Sequence, residues 1–369
     1  MIKILEISHN LLQRDNDFSL YKKIIEELEK YFFIKEVCFY QEENIKKKTN
    51  NKYYKINWHS LPKYLRFIFI FKMVWINIKE IKGGNSDVIH IPVTSSVNNF
   101  FIFIYPLLFR QSKFLIQTFT PSVDKNKFKR FFLDYIISLN FKLYKNIVGN
   151  VERNIKAYRL KPSQIVSSNI GVYDYSLSEK NFEFLKLLYI GTLNTREVWK
   201  TVEGLALFVK RNLSVKITYD IIGKGNSAEV KKIIDLIEAN NLKNIVYLHG
   251  YLSTEEVQKF FDKCNVGISY VPITNRYGFK STKTLEYLIA GMPVIVTNGG
   301  TRNDLVDVTN GVLIDDTPED FSDGLERLWM NRHSYKPNEI REKYEHETLE
   351  NTIKNDYAKV ISNLGNNKR

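Results

Sequence analysis

Residues 278–291 combine a glycine-rich loop, a lysine and a carboxylate, and they read GFKSTKTLEYLIAG before an apolar stretch at 293–297. The pattern predicts a short helix that begins near Ser281 and ends at Gly291. The unpaired amides of its first turn and Lys283 can bind a phosphate, because a helix N-terminus carries partial positive charge. Glu286 follows one turn later and can accept hydrogen bonds from sugar hydroxyls. The segment therefore suits a diphosphate and a ribose, although a capped surface helix before a core strand has the same pattern.

Alternating strand and helix patterns must position this segment. In the first half, strands are predicted at 2–8, 34–40, 87–93, 113–119 and 164–168, and helices at 18–31, 63–79, 98–109, 128–145 and 152–159. In the second half, strands are predicted at 185–190, 216–222, 244–248, 265–271, 293–297 and 311–314, and helices at 198–211, 227–239, 254–263, 281–290 and 319–331. The alternation predicts an α/β protein whose parallel sheets are covered by helices on both faces.

The length of 369 residues suits two domains of about 170–190 residues each. We predict a first domain at 1–170, a second at 171–344, and a last helix with a tail at 345–369 that could pack back on the first domain. The two cysteines, Cys38 and Cys264, fit no metal-ligand spacing and indicate a reducing cytosol. The first residues become polar too early for a signal peptide, and no apolar run has the length of a membrane span.

Positive charge is concentrated in the first half. Residues 1–170 hold 28 Lys+Arg and 14 Asp+Glu, a balance of +14, so that the remainder holds 54 − 28 = 26 basic and 41 − 14 = 27 acidic residues, a balance of −1. In segment 52–82 lysines alternate with aromatic and aliphatic residues, which is typical of helices at an anionic membrane surface. We expect Lys63, Arg66 and Lys72 to contact that surface, while a basic-faced core helix is the alternative. No nucleic-acid-binding module accompanies the charge, so nucleic acid is not an expected partner.

Further candidate residues follow the predicted strands of the second half. Gly191 and Thr192 follow the first of these strands, Gly223 and Gly225 the second, and Gly250 and Tyr251 the third. The carboxyl ends of parallel strands share one edge of a sheet, where ligands bind. With this loop order, the stretches 188–193, 220–225, 246–251, 285–295 and 311–314 resemble the retaining glycosyltransferases of family 4. The resemblance implies two Rossmann-like domains that face each other across a cleft, the GT-B architecture.

The resemblance also implies roles for single residues. Glu286 would bind the ribose hydroxyls of a nucleoside diphosphate sugar, and Arg196 and Lys283 would neutralise its diphosphate, with Lys200 as a substitute for Arg196. These three residues, Arg196, Lys283 and Glu286, are the implied catalytic group. The implied donor-binding residues are Gly191, Thr192, Lys200, Gly223, Gly225, Gly250, Tyr251, Gly278, Phe279, Lys280, Ser281, Thr282 and Thr284. Plain turns and solvated surface charges remain the alternatives for them.

The sequence departs from the family pattern at several positions. Gly278 stands where the family has the first of two paired glutamates, eight positions before Glu286. On the acceptor side, only His90 and Thr118 are candidates, and a bonded core histidine is the alternative for His90. The spacing Asp15-Asn-Asp17 matches a metal motif of single-domain glycosyltransferases, but its position after the first strand favours a polar turn.

We therefore expect a cytoplasmic enzyme at the inner face of the membrane that moves a sugar from a nucleoside diphosphate sugar to a lipid-linked saccharide in surface polysaccharide assembly, such as capsule or O-antigen. The resemblance implies retention of configuration, with front-face attack and neither a cofactor nor a metal. The missing first glutamate motivates the alternative of a non-catalytic protein that binds nucleotide or glycan and scaffolds an assembly complex. A nucleotide-sugar 2-epimerase of the same architecture is a further alternative.

Overall fold

The computed structural model describes residues 1–12, 19–40, 48–57, 60, 62, 65–94, 96–118, 126–149, 155, 157–167, 171–175, 178–194, 196–272, 282–299 and 304–366. The chain forms two compact units. The N-terminal domain consists of Met1–Gly171 together with Leu349–Arg369, and the C-terminal domain of Val172–Thr348. Each domain is described by itself below.

The N-terminal domain contains a parallel sheet of seven strands within the described residues, in the order β3-β2-β1-β4-β5-β6-β7. The strands are β1 Lys3–Leu12, β2 Phe33–Tyr40, β3 Lys52–Lys55, β4 Val88–Val93, β5 Phe114–Thr118, β6 Ile147–Gly149 and β7 Ile165–Ser167. The helices of its first part are α1 Ser19–Leu28, α2 Phe67–Gly83, α3 Ile104–Leu108 and α4 Lys127–Phe141. Every residue of β4 and β5 is buried, as expected for central parallel strands covered on both faces.

The C-terminal domain contains a second parallel sheet, of six strands, in the order β10-β9-β8-β11-β12-β13 over the residues the structure describes. The strands are β8 Leu185–Ile190, β9 Ile217–Ile222, β10 Val246–Gly250, β11 Val266–Ser269, β12 Val294–Thr297 and β13 Gly311–Ile314. The helices are α5 Trp199–Arg211, α6 Ser227–Ala239, α7 Thr254–Lys263, α8 Thr282–Ile289, α9 Pro318–Met330 and α10 Pro337–Tyr344. Side-chain caps define several starts, since Asn226, Ser253 and Thr317 each accept a backbone N–H of the first turn. The two sheets confirm the predicted doubly wound α/β domains.

The last segment of the chain returns to the N-terminal domain. It forms α11 Leu349–Thr352, a π-helical turn Ile353–Tyr357 and α12 Ala358–Asn366. Ile353, Tyr357 and Ile361 are buried in the same cluster as Ile4 of β1 and Ile24 of α1. The opposite face of the sheet is covered by α2, α3 and α4, whose buried side chains share a second cluster. The N-terminal sheet is thus completed on one face by residues that follow the C-terminal domain.

Several elements differ from the sequence prediction. The helix predicted at 98–109 is a 3₁₀ turn, Val97–Asn99, followed by the five-residue α3, and the turn begins where the hydroxyl of Ser96 accepts the amide of Asn98. The helix predicted at 63–79 is observed from Phe67 to Gly83. The single helix predicted at 345–364 is interrupted by the π-helical turn. Strands β3 and β6 and helix α10 were not predicted.

Candidate functional site

Hydrogen bonds join the loops that follow three neighbouring strands of the C-terminal sheet. The amide of Gly191 donates to the carbonyl oxygen of Ile222 at 3.0 Å, and the amide of Gly223 donates to that of Gly250 at 2.7 Å. The ends of β8, β9 and β10 are therefore held side by side. This arrangement gathers the predicted donor-binding residues Gly191, Gly223 and Gly250 at one edge of the sheet, the edge at which open α/β sheets bind ligands.

The first two of these loops can approach each other only because of their glycines. A Cβ atom at Gly223 would lie 1.7 Å from the carbonyl oxygen of Gly191, and one at Gly225 would lie 2.8 Å from Cβ of Leu193. Gly250 has a φ of +69°, in the left-handed region that favours glycine. Thr192 belongs to the same contact, since its hydroxyl donates to the carbonyl oxygen of Lys224 at 3.4 Å. The glycines thus keep backbone amides close together at this edge.

Lys283 and Glu286 form an ion pair in the first turns of α8. Nζ of Lys283 lies 2.6 Å from Oε2 of Glu286, and the Glu286 residue is 3% exposed. Burial raises the pKa of Glu286, and the neighbouring Lys283 opposes that shift. The Lys283 side chain is 30% exposed and its Nζ lies 5.8 Å from the centre of the Tyr175 ring. The pair therefore presents a partly exposed cation above a buried carboxylate at a helix N-terminus.

Two hydrogen bonds fix α8 against the same edge of the sheet. The hydroxyl groups of Thr284 and Ser269, at the end of β11, are 2.7 Å apart. The amide of Ile190, at the end of β8, donates to the hydroxyl oxygen of Tyr287 at 2.9 Å. Because Gly191 follows Ile190 directly, α8 is anchored beside the first glycine loop. The predicted residue Thr284 thus has a positioning role, and Thr282 is exposed at the start of the helix.

The two other predicted cations lie at the start of α5. Nζ of Lys200 bonds to Oε2 of Glu197 at 2.7 Å and to Oδ1 of Asp316 at 3.0 Å. Burial opposes the charge of Lys200, but hydrogen bonds to the two carboxylates outweigh it and raise its pKa. Asp316 also accepts a hydrogen bond from the hydroxyl of Tyr270. Arg196 lies in the turn before α5, where its amide donates to the carbonyl oxygen of Leu193 at 3.4 Å.

Sequence reasoning missed a buried carboxylate that holds the third loop. Asp220 of β9 is fully buried and lies 2.7 Å from Nε2 of His249 and 3.0 Å from Nζ of Lys263. His249 immediately precedes Gly250 and Tyr251, so Asp220 fixes the backbone that carries these predicted residues. A charged residue inside the apolar strand Ile217–Ile222 was the available signal. Tyr251 is exposed, with Nζ of Lys224 4.8 Å from its ring centre.

The predicted acceptor-side residues are engaged inside the N-terminal domain. Nδ1 of His90 lies 2.8 Å from Oε2 of Glu6, and Nε2 lies 2.6 Å from the hydroxyl oxygen of Tyr357. Burial lowers the pKa of His90 to about 4. The hydroxyl of Thr118 donates to the carbonyl oxygen of Val148 at 3.1 Å. Both side chains are buried, and their polar atoms are used within the core.

Helix α2 contains part of the predicted membrane-contact segment. Ile70, Met73 and Val74 are buried, whereas Lys72 and Trp75 are exposed. One side of the helix packs in the core, and the other side is exposed and carries basic and aromatic residues. Both interpretations of its sequence, the core helix and the basic-aromatic surface, therefore describe part of it. Arg66 precedes the helix and is half-buried.

Some predicted residues lie outside the described part of the chain, namely Asp15, Asp17, Lys63, Gly278, Phe279, Lys280 and Ser281. Within the described ranges, no group of three or more His, Cys, Asp or Glu side chains could hold a metal ion. Over the same residues, none of the helices combines the length and apolar character needed to cross a membrane.

The C-terminal domain resembles a known protein family. Residues 185–331, which include β8 to β13, match the family model described as glycosyl transferases group 1. A curated relative, the poly(ribitol-phosphate) alpha-N-acetylglucosaminyltransferase of Staphylococcus aureus (strain COL), is 29% identical over 140 residues, which is 37% of this chain and 26% of that protein. The match thus spans about a quarter of the length of this relative.

Solved structures share the fold along the whole chain. Anabaena HepE in complex with UDP and glucose has a TM-score of 0.71 at 11% identity and covers 98% of this chain and 100% of its own. The lipopolysaccharide outer core galactosyltransferase WaaB has a TM-score of 0.67 at 16% identity, with the same coverage. These identities carry the fold alone and confirm the two-domain GT-B architecture. The match to the group 1 glycosyl transferases rests on residues 185–331, while membership of family 4 and retention of configuration remain predictions.

Proposed function

We propose that this protein is a retaining glycosyltransferase that moves a sugar from a nucleoside diphosphate sugar to a lipid-linked saccharide in surface polysaccharide assembly. The observation that carries the proposal is the Lys283–Glu286 pair, which lies at the N-terminus of a helix anchored beside three hydrogen-bonded glycine loops. A buried carboxylate and a partly exposed cation three residues apart match the ribose and the diphosphate of one ligand. The family match over 185–331 supports the same reaction class.

In the proposed reaction, Glu286 accepts hydrogen bonds from the ribose hydroxyls and so fixes the nucleotide. Lys283 then exchanges part of its contact with Glu286 for the diphosphate, where it neutralises the charge that develops on the leaving group. Arg196, in the turn after Gly191, is the second cation. The acceptor oxygen forms a bond to the anomeric carbon while the bond to the phosphate oxygen breaks on the same face. The proton of the acceptor hydroxyl passes to that phosphate oxygen, so neither a protein nucleophile nor a metal takes part.

The donor and acceptor classes of the proposal draw on the relatives. HepE was solved with UDP and glucose, which makes UDP the first probe for this chain. The names of the two transferases refer to poly(ribitol-phosphate) and to the lipopolysaccharide outer core, and we propose an acceptor of this saccharide-polymer class for the present chain. The basic outer face of α2 supports an acceptor held at an anionic membrane, and the enzyme would act there from the cytoplasmic side.

Binding and turnover with Lys283→Met and Glu286→Gln variants test the donor site. We expect each variant to lower nucleotide-sugar turnover about 100-fold, because the loss of one charged contact to a diphosphate or ribose costs roughly 3 kcal/mol in the transition state. The exposed pair Lys336–Glu339 has the same spacing within the C-terminal domain and provides the control variants Lys336→Met and Glu339→Gln. Equal activity of the site and control variants would reject the assignment.

The same assay separates the alternatives. Affinity for UDP without transfer to any lipid-linked acceptor would favour the non-catalytic scaffold. Conversion of the donor sugar in the absence of an acceptor would favour the epimerase. Transfer with inverted configuration, determined by NMR of the product, would contradict the retaining mechanism while leaving the donor site intact.

A further inference from the structure

Helix α4 exposes a row of large apolar side chains. Phe128 is 79% exposed and Phe131 60%, and Phe132, Tyr135 and Leu139 are exposed on the same helix. Their spacing of three, four, seven and eleven residues from Phe128 places them along one side of the helix. The rings of Phe131 and Tyr135 are stacked with centres 6.0 Å apart. The outer side of α4 is therefore a continuous aromatic stripe.

This stripe is additional to the face that packs on the sheet. Leu133, Ile137 and Phe141 of the same helix are buried, the last two in the core cluster shared with α2 and α3. Helix α4 thus satisfies its packing within the domain without the exposed row. Contiguous exposed apolar side chains of this extent mark a binding surface in soluble proteins.

The stripe continues to α2 through ring contacts with the segment just before α3. Phe132 of α4 lies 6.2 Å from Phe100, and the adjacent Phe101 lies 4.8 Å from Phe71 of α2, measured between ring centres. We call the whole surface the aromatic face. It consists of Phe67, Ile68, Phe71, Trp75, Leu107, Leu108, Phe128, Phe131, Phe132, Tyr135 and Leu139.

The helices that carry the aromatic face also carry basic residues. Residues 65–145, which include all three helices, hold 12 Lys+Arg and 4 Asp+Glu, so 12 − 4 = +8. Among the acidic residues, Glu80 is buried and bonded to Lys52 and Tyr54. Lys72 and Lys129 are exposed beside the aromatic rings, and Nζ of Lys79 lies 5.8 Å from the Trp75 ring centre. The surface therefore combines apolar side chains with an excess of positive charge.

We infer that the aromatic face docks on an anionic lipid bilayer, with α2, α3 and α4 lying in the interface and the opposite face of the N-terminal domain, formed by α1, α11 and α12, remaining in water. Aromatic and aliphatic side chains would enter the headgroup boundary while lysines bind anionic headgroups. The inference rests on the membrane partner of the proposed function and extends it. It assigns the deepest contact to α4, a helix that charge alone did not indicate.

Vesicle flotation tests the assignment to α4. The double variant Phe128→Ser/Phe131→Ser should lose affinity for vesicles of phosphatidylcholine and phosphatidylglycerol by about tenfold or more, because it removes two exposed rings from the contact. Leu213→Ser/Val308→Ser removes two apolar side chains of the C-terminal domain that are even more exposed and is the control, expected to bind as the parent does. Equal loss of affinity in both variants, or no loss in either, would overturn the inference. Equal affinity of the parent protein for vesicles of pure phosphatidylcholine and for the anionic vesicles would overturn it as well. So would a parent dimer, detected by light scattering, that the aromatic variant converts to monomer.

Tryptophan quenching by brominated lipid tests the orientation. Trp75 lies on the aromatic face, so in a Trp58→Phe background quenching by vesicles should be largely lost in Trp75→Phe and retained in Trp329→Phe, which changes the C-terminal domain. The opposite pattern would overturn the orientation. UDP binding measured without vesicles is independent of both tests, so failure of the membrane inference and failure of the donor site are distinguishable.

Discussion

The N-terminal and C-terminal domains share one architecture but differ in what their surfaces present. In the C-terminal domain the most exposed apolar side chains within the described residues, Leu213, Val308 and Met330, lie far apart in sequence on separate elements. In the N-terminal domain three helices on one side of the sheet contribute a continuous aromatic face. Conversely, closely bonded glycine loops connect the strand ends of the C-terminal sheet.

The difference indicates that the two domains bind different kinds of partner. Backbone amides at closely spaced strand ends suit a small anionic ligand, because they act at short range and in fixed directions. An aromatic and basic helical surface suits an extended anionic layer, because binding to such a layer depends on the buried apolar area and the charge and not on exact hydrogen-bond directions.

The largest effect is expected for Gly223→Ala. Its Cβ would lie 1.7 Å from the carbonyl oxygen of Gly191, so one of the two loops must move. We expect a loss of about 3 kcal/mol in the free energy of unfolding of the C-terminal domain, measured in urea, and loss of UDP binding. Gly83→Ala in the N-terminal domain is the control, since nothing lies within 4 Å of its Cβ, and its effect should stay within about 0.5 kcal/mol. If the Gly223→Ala protein keeps the stability and the UDP affinity of the parent, glycine is not required at this position for the contact between the two loops.

Charge reversal on the two domains should separate membrane affinity. Lys72→Glu/Lys129→Glu changes the aromatic face, and Lys210→Glu/Lys231→Glu makes the same change in charge on the C-terminal domain. We expect about 30-fold weaker vesicle binding for the first pair only, from roughly 1 kcal/mol per basic residue near an anionic surface. Raising the salt concentration should reduce the difference. An equal decrease for both pairs would mean that net charge, rather than a defined face, governs binding.

A half-buried carboxylate in the N-terminal domain and a buried one in the C-terminal domain should respond oppositely to neutralisation. Burial and the neighbouring Glu6 raise the pKa of Glu36 from 4.5 to about 7. The folded protein therefore binds an extra proton between these values, and its stability falls as the pH rises through that window. Glu36→Gln should stabilise the protein by about 2 kcal/mol at pH 8 and leave it unchanged near pH 4.5, as judged by urea unfolding.

Asp220→Asn is the counterpart in the C-terminal domain. It should destabilise the protein at pH 8, because His249 and Lys263 lose a buried charged acceptor. We expect stabilisation by Glu36→Gln alone, because burial disfavours the charge of Glu36 whereas Asp220 is paired. Stabilisation by both variants, or by neither, would contradict this difference.

The smallest change in unfolding free energy is expected for two buried tyrosines, one in each domain. Tyr357→Phe removes the bond to His90, and Tyr287→Phe removes the acceptor of the Ile190 amide. Each should cost about 1 kcal/mol of unfolding free energy. Only Tyr287→Phe should also weaken UDP binding in calorimetry, since it loosens α8 beside the first glycine loop. Weaker UDP binding in Tyr357→Phe as well would indicate that stability alone determines affinity.

Much of the C-terminal domain was predictable because its local signals agree with its tertiary structure. The predicted strands 185–190 and 311–314 are observed with the same bounds, and the predicted helices 227–239 and 254–263 likewise. Strong caps at Asn226 and Ser253 account for the two helix starts. The ion pair of Lys283 and Glu286 was not predicted, because both side chains were assigned to a ligand, although a spacing of three residues on a helix allows them to meet. The contacts of Lys200 with Asp316 could not be predicted, since they join residues 116 positions apart.

The N-terminal domain was less predictable for physical reasons. Strand β3 has the sequence KYYK, which resembles the surrounding basic-aromatic segment more than a buried strand. The pattern of α4 predicted a helix but not its orientation, because the exposed stripe through Phe128 and Phe131 has the spacing of a core face. His90 was identified, yet its partner Tyr357 follows 267 residues later. Such contacts depend on the assembled domain and leave no local trace.

The return of Leu349–Asn366 to the N-terminal domain has a consequence for biosynthesis. While the ribosome is still translating this segment, residues 172–348 have already been made in full, whereas the earlier sheet still lacks Ile353, Tyr357 and Ile361. The second domain to be translated is thus the first that can reach its final fold. Premature termination near residue 348 would leave the buried pair Glu6 and His90 without Tyr357, so the shortened protein would lose packing in the N-terminal domain and not in the C-terminal one.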